Sequence, residues 1–248
     1  MSSNVANSEP LTLGVTLAVL VAAGFCLRPL ERQVAGPDTP RAARAEQFGA
    51  LAGHGGILAV AGGMRAAVAS GCWLRANLAW EQRDAAATTA LIELTVAADE
   101  RPLYFWLNGA RMRAYDLPEW RAPFPAPAAV RARVNAEQSE QALRFLEKGL
   151  RWHGPDAALY IEMGNIHLRR TGDLESAARC YRLAAEQPDA PYYAARIYGE
   201  LLRELGRPRE ALAWLRPLLA KLPADDPAAQ REVVAARIRA LEQELGRR

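Results

Sequence analysis

The sequence predicts an all-α fold: a helical repeat array that follows one N-terminal transmembrane helix. Two observations favour this class. Matching residues recur at an interval of 34 positions in the C-terminal half, and residues 11–27 form an uncharged apolar run. Half of the 248 residues are hydrophobic and 24% are charged. That composition excludes an intrinsically disordered chain.

Charge and cysteine content exclude several functional classes. The chain contains 31 basic and 28 acidic residues, which gives a net charge of only +3. Its sequence has no strongly basic segment of the kind that binds nucleic acid. Cys26, Cys72 and Cys180 are odd in number and lack C-x-x-C spacing, which argues against a disulfide framework or zinc site. Lys148 and Lys221 are the only lysines. Such arginine bias is typical of GC-rich bacterial genes.

The N-terminal tail, residues 1–10, contains no lysine or arginine and precedes the predicted anchor at residues 11–27. A helix of seventeen residues is about 25 Å long, which is only just enough to cross the lipid bilayer once. A cleaved signal peptide needs a basic start, so we expect an uncleaved anchor in the bacterial inner membrane. Gly14, Ala18 and Ala22 share one face, which leaves a homo-oligomer open.

The charges after the span favour one side of the membrane. Arg28, Arg32, Arg41 and Arg44 follow it and no basic residue precedes it, which favours a cytoplasmic repeat domain. A periplasmic domain is the alternative, because anchors with short N-termini often export the rest. Residues 28–56 are rich in proline and glycine and are interpreted as a linker.

A 34-residue period in the sequence predicts a repeat array over residues 57–226. Four residue pairs match at this offset: Gly172 with Gly206, Ala177 with Ala211, Tyr181 with Leu215, and Ala184 with Leu218. Ahead of each set, one helical face carries the same 3, 1, 3 spacing, at Tyr160, Met163, Gly164 and His167 and at Ala195, Tyr198, Gly199 and Leu202. The small residues at these positions predict close helix contact.

These residues resemble the tetratricopeptide repeat, a helix-turn-helix of 34 residues. The best copy spans 192–223, with Gly206 at the turn and Pro223 at the end, and a second copy spans 157–188. Weaker copies begin near Trp73 and Phe105, and the latter contains an inserted turn at 116–130. The resemblance implies a solenoid of about four units. Residues 227–248 then form a capping helix.

No motif predicts catalysis, a cofactor or a metal site. His54, His153 and His167 are not spaced as ligands or as partners of a nucleophile. His54 lies in a Gly-His-Gly-Gly stretch, so an envelope enzyme with a site there is a minor alternative. The aromatic residues around Tyr104, Phe105 and Trp106 are compatible with two roles: they either fill the core of a repeat or form the edge of a peptide-binding surface.

The resemblance implies that first helices line a concave face that binds a protein or peptide partner. In the two good copies, the predicted contact residues are Asn165, Arg169, Tyr193, Arg196, Glu200 and Arg203. Their guanidinium and amide groups suit an acidic peptide. Ile161 stands where chaperone-binding relatives have lysine, which argues against a chaperone-tail receptor. We therefore expect a membrane-anchored scaffold or adaptor of an envelope complex, and a self-assembling structural subunit is the alternative.

Overall fold

The computed structural model describes residues 65–246, where every regular element is helical and no β-strand occurs. The all-α class is therefore confirmed for this part of the chain. The helices are α1 Arg65–Glu81, α2 Ala85–Ala98, α3 Leu103–Arg111, α4 Leu117–Arg121, α5 Ala128–His153, α6 Ala157–Ile166, α7 Leu174–Ala185, α8 Tyr192–Glu204, α9 Pro208–Lys221 and α10 Arg231–Gly246. Two π-helical segments, Met112–Asp116 and His167–Thr171, and the 3-10 turn Pro227–Ala229 complete the set.

Helices α1 and α2 form the first packed pair, as the weak copy near Trp73 predicts. Trp73 and Ala76 are buried on one side of α1 and contribute to the core. The turn ends at Asp84, whose carboxylate accepts a hydrogen bond from the amide of Ala87 at 3.0 Å and so caps α2. Arg83 adopts a left-handed backbone conformation there, with φ of 55°.

Asp99 closes the end of this first pair with a buried carboxylate. Its oxygens accept two 2.8 Å hydrogen bonds from the guanidinium of Arg101, and Arg65 of α1 lies 3.4 Å away. The hydrogen bonds from Arg101 lower the pKa of Asp99 to about 2, against the opposing effect of burial. The ion pair thus ties the start of α1 to the end of α2.

The second group contains α3, α4 and α5. The prolines of the predicted inserted turn interrupt helix over residues 122–127, whereas residues 117–121 form α4 and α5 starts at Ala128. Trp106 and Phe105 are buried, so these two aromatics belong to the core. Tyr104 and Phe124 are exposed. The aromatic stretch is therefore divided between core and surface.

The third and fourth pairs, α6 with α7 and α8 with α9, show the predicted close approaches. A Cβ at Gly164 would lie 2.9 Å from the Tyr181 ring, and one at Gly199 would lie 2.7 Å from Leu215. The turns between the helices contain Gly172 at φ 70° and Gly206 at φ 74°. Glycine adopts this left-handed conformation without the steric cost that other residues meet.

After the fourth pair, α10 packs on α9 and covers its apolar face. Val234, Ile238 and Leu241 of α10 are buried in one cluster with Leu215. The opposite side of α10 is exposed and charged. A helix with one apolar and one charged side can end a stack of helix pairs without exposing the core.

Between residues 65 and 246, no helix is both long and apolar enough to cross a bilayer. The predicted tail, the span at 11–27, the linker at 28–56 and the first residues of the predicted array lie outside the described residues.

Candidate functional site

The candidate site is built around a buried carboxylate on α6. Glu162 is only 3% exposed, and the guanidinium of Arg111 on α3 donates to it from Nε at 2.9 Å. A buried carboxylate needs such a partner, because desolvation of an unpaired charge is costly. This ion pair therefore joins the first helices of two successive groups.

One turn further along α6, Asn165 receives a hydrogen bond from the second helix of its own pair. The hydroxyl of Tyr181 donates to Oδ1 of Asn165 at 2.8 Å. Burial raises the pKa of Tyr181 to about 12, so the phenol stays protonated and remains a donor at neutral pH. The predicted contact residue Asn165 is thus positioned by the ring that packs on Gly164.

Cationic and aromatic groups surround this pair. Arg170 lies over the ring of Tyr115, with 5.5 Å between the guanidinium carbon and the ring centroid, a distance typical of a cation–π contact. Burial, followed by the charge of Glu162, raises the pKa of Tyr115. Arg169 is exposed in the π-helical segment that follows α6.

Tyr193, at the start of α8, completes the arrangement from the next helix pair. It is 41% exposed, and it lies within electrostatic range of the Tyr181 hydroxyl, as do Arg169 and Glu162. We call this set of residues the central patch: Arg111, Tyr115, Glu162, Asn165, Arg169, Arg170, Tyr181 and Tyr193. Three arginines against one glutamate give it a positive charge.

The other predicted contact residues lie in a separate cluster against α10. Glu200 pairs with Arg203 at 2.5 Å and with Arg237 of α10 at 2.8 Å. Arg196 makes a long hydrogen bond of 3.4 Å to the carbonyl oxygen of Ala229. The structure therefore brings Asn165, Arg169 and Tyr193 into the central patch, but it engages Arg196, Glu200 and Arg203 in contacts within the chain.

Sequence reasoning did not identify five residues of the central patch and one of the second cluster as site residues: Arg111, Tyr115, Glu162, Arg170, Tyr181 and Arg237. Glu162 carried one signal that could have indicated its role, because it is the one charged residue of α6 and stands between Ile161 and Met163. Its partner is 51 positions away. No periodicity within one repeat can identify a contact at that separation.

The described residues show no grouping of three or more His, Cys, Asp or Glu side chains that could bind a metal. His153 lies 3.1 Å from the carbonyl oxygen of Glu100, and His167 is half-buried in a π-helical segment. Burial raises the pKa of the Cys180 thiol to about 11. His54, the residue of the alternative enzyme site, lies outside the described residues.

No protein-family model matches this chain, and comparison with curated proteins gives no match.

Proposed function

We propose that the chain is a membrane-anchored scaffold or adaptor that binds an acidic segment of a protein partner within a bacterial envelope complex. Its repeat domain is a tetratricopeptide-like solenoid, and its central patch contacts the partner. The proposal assigns no catalytic activity and no cofactor to the chain.

Support for the solenoid comes from a local geometry that recurs in two of the helix pairs. Asp84 and Asp173 cap the second helices of the first and third pairs, each through an amide three residues later at 3.0 Å. Each is preceded by a residue with positive φ, Arg83 in one case and Gly172 in the other. The same local geometry at equivalent positions is what tandem repeats of one unit produce.

The observation that carries the functional proposal is the convergence of first-helix side chains in the central patch. Arg111 of α3 contacts Glu162 of α6, and Tyr193 of α8 interacts electrostatically with Tyr181, the hydrogen-bond partner of Asn165, so side chains of three helix pairs contribute. Tyr193 supplies a large and rigid exposed surface, and Arg169 supplies an exposed cation. Tyrosine and arginine are the residue types that most often dominate binding energy at interfaces.

Reversal of one charge in the patch tests this proposal. The full-length chain, tagged and solubilised from its native membranes in an uncharged detergent, should co-purify with its partner, and Arg169→Glu should abolish that recovery. Arg209→Glu is the matched control, because Arg209 is an exposed arginine of α9, a second helix. Retention of the same partners by Arg169→Glu, or equal loss with both variants, would contradict the assignment of the central patch.

The proposed location is the bacterial inner membrane, with residues 11–27 as the anchor and the repeats in the cytoplasm. The arginines after the span support this orientation. Protease treatment of intact spheroplasts should leave the C-terminal repeats uncut. Digestion would place them in the periplasm and would redirect the search for partners to secreted and wall-assembly proteins.

Self-assembly is a second candidate, favoured by one apolar strip on α1. Leu74 and Leu78, one turn apart, are 66% and 55% exposed, and exposed apolar residues of this kind often mark contact surfaces. If the chain self-assembles through this strip, its mass measured by light scattering should rise with concentration, and Leu78→Glu should prevent the rise. A constant mass would exclude this candidate.

A further inference from the structure

A second cationic feature lies between α2 and α5, and none of its residues belongs to the central patch. It is a cleft of about 240 Å³. Its walls contain four basic side chains, one carboxylate, one amide and one aromatic ring: Arg113, Arg144, Lys148, Arg151, Glu93, Gln141 and Phe145.

Arg113 lies on the cleft wall with almost its entire side chain buried. Its guanidinium donates to Oε1 of Glu93 at 2.7 Å and lies 4.4 Å from the centroid of the Phe145 ring. The residue is 5% exposed, and its Nε has no acceptor within the described part of the chain. Arginine stays protonated even when buried. Arg113 therefore places a fixed positive charge in the wall of the cleft.

The remaining cations come from one side of α5. Arg144, Lys148 and Arg151 are spaced by four and three residues, which places them on the same side of a helix. Nζ of Lys148 lies 3.1 Å from Oε2 of Glu93. Arg144 pairs with Glu140 of its own helix, and Glu140 does not line the cleft.

Glu93 is the only acidic side chain in the lining, and it is shared by two cations. Burial alone would raise its pKa, but the charges of Arg113 and Lys148 outweigh that effect and lower it. Glu93 is therefore ionised at neutral pH and neutralises one positive charge. Four cations against Glu93 and against Glu140, the partner of Arg144, leave an excess of two positive charges, which a single additional carboxylate would not balance.

The cleft and the central patch are distinct surfaces that begin on neighbouring residues. Arg111 pairs with Glu162 of α6, whereas Arg113 pairs with Glu93 of α2. The two guanidinium groups therefore face different helices, Arg111 facing α6 and Arg113 facing α2. A ligand in the cleft would leave the partner-binding surface open.

We propose that this cleft binds a phosphate or pyrophosphate group of a small soluble molecule. Planar guanidinium forks match the geometry of phosphate oxygens, and a multiply charged anion balances the positive excess. Glu93 occupies part of the cationic surface in the free protein, so the ligand competes with it for Lys148. The small volume of the cleft suits a compact anion.

Calorimetric titration of the full-length chain with inorganic pyrophosphate tests the proposal, in an uncharged detergent and at constant ionic strength. Saturable binding is expected, and Arg144→Gln and Arg151→Gln should each weaken it about tenfold through loss of a charge-assisted contact. Arg133→Gln is the matched control, because Arg133 is an exposed residue of α5 with its own pairing glutamate four positions later. It should leave the affinity unchanged.

Glu93→Gln distinguishes a specific effect on the cleft from a loss of folding. It removes the carboxylate that competes with the ligand, so it should tighten pyrophosphate binding several-fold. Misfolding cannot produce a gain in affinity. Vesicles of phosphatidylcholine with and without phosphatidic acid distinguish a lipid headgroup from the soluble ligand, and no cleft-dependent vesicle binding is expected. Absence of saturable pyrophosphate binding, an equal effect of Arg133→Gln, or cleft-dependent binding to vesicles alone would overturn the proposal.

Discussion

The substitution Gly164→Ala tests how closely α6 and α7 approach each other. The size of its effect on the free energy of unfolding follows from distances in the structure. The new Cβ would lie 2.9 Å from two atoms of the Tyr181 ring, against ordinary contacts of 3.4–4 Å. The ring is 2% exposed and its hydroxyl is bonded to Asn165, so it cannot move aside freely. Overpacking of this kind costs about 1–3 kcal/mol. Alanine returns about 1 kcal/mol through its better helix propensity, which leaves a net loss of up to about 2 kcal/mol.

Gly71→Ala is the matched control, because Gly71 lies within α1 and a Cβ there would meet no atom within 4 Å. Only the propensity gain applies, so this variant should be more stable than the wild type by about 0.5–1 kcal/mol. Urea unfolding of the full-length proteins, followed by far-ultraviolet circular dichroism, compares the two. If Gly164→Ala stabilised the protein as much as Gly71→Ala, the close packing of α6 on α7 would be refuted.

Three further predictions concern the Arg111–Glu162 ion pair, the carboxylate of Asp99 and the backbone of Arg83. Arg111→Met strands the buried carboxylate of Glu162 and should cost about 3 kcal/mol in urea unfolding; a loss no larger than that of Glu162→Gln would contradict this. Because the pKa of Asp99 is about 2 when folded and about 3.9 when unfolded, its stabilisation is complete above about pH 5 and is lost as the pH falls through 3.9 and then below 2. Acid titration of Asp99→Asn should lack that loss of up to about 2 kcal/mol, whereas an unchanged acid profile would exclude the ion pair as its cause. Arg83→Gly should raise the unfolding free energy by about 1 kcal/mol, since it removes a side chain from a left-handed position; a loss of stability would show that the turn tolerates arginine without strain.

Local features of the fold were largely predictable from the sequence. Gly164 and Gly199 are where two helices approach closely, as their matching 3, 1, 3 spacing indicates, and each would contact a second-helix side chain if it carried a Cβ. The positive φ at Gly172 and Gly206 follows from the turn positions. These properties depend on contacts within one helix pair, where the sequence separation is small and the pattern is regular.

The pairings between units could not be predicted in the same way. Arg111 meets Glu162, and Glu200 meets Arg237, because helices from different units pack together. Helical periodicity assigns each of these residues to a face of its own helix but does not identify the distant helix that it meets. The inserted segment adds to this difficulty, because it separates α3 from α5: Gly109 of α3 lies 55 positions before Gly164, whereas Ala142 of α5 lies 35 positions before Ala177.

The most direct test of the central claim is photo-crosslinking from Tyr193 in living cells of the native host. A photoreactive phenylalanine analogue at position 193 should give one discrete adduct that disappears when Arg169→Glu is also present. The same analogue at Val233, on the exposed side of α10 at 55% exposure, is the control and should give no such adduct. Identical adducts from both positions, or none from position 193, would contradict partner binding through the central patch.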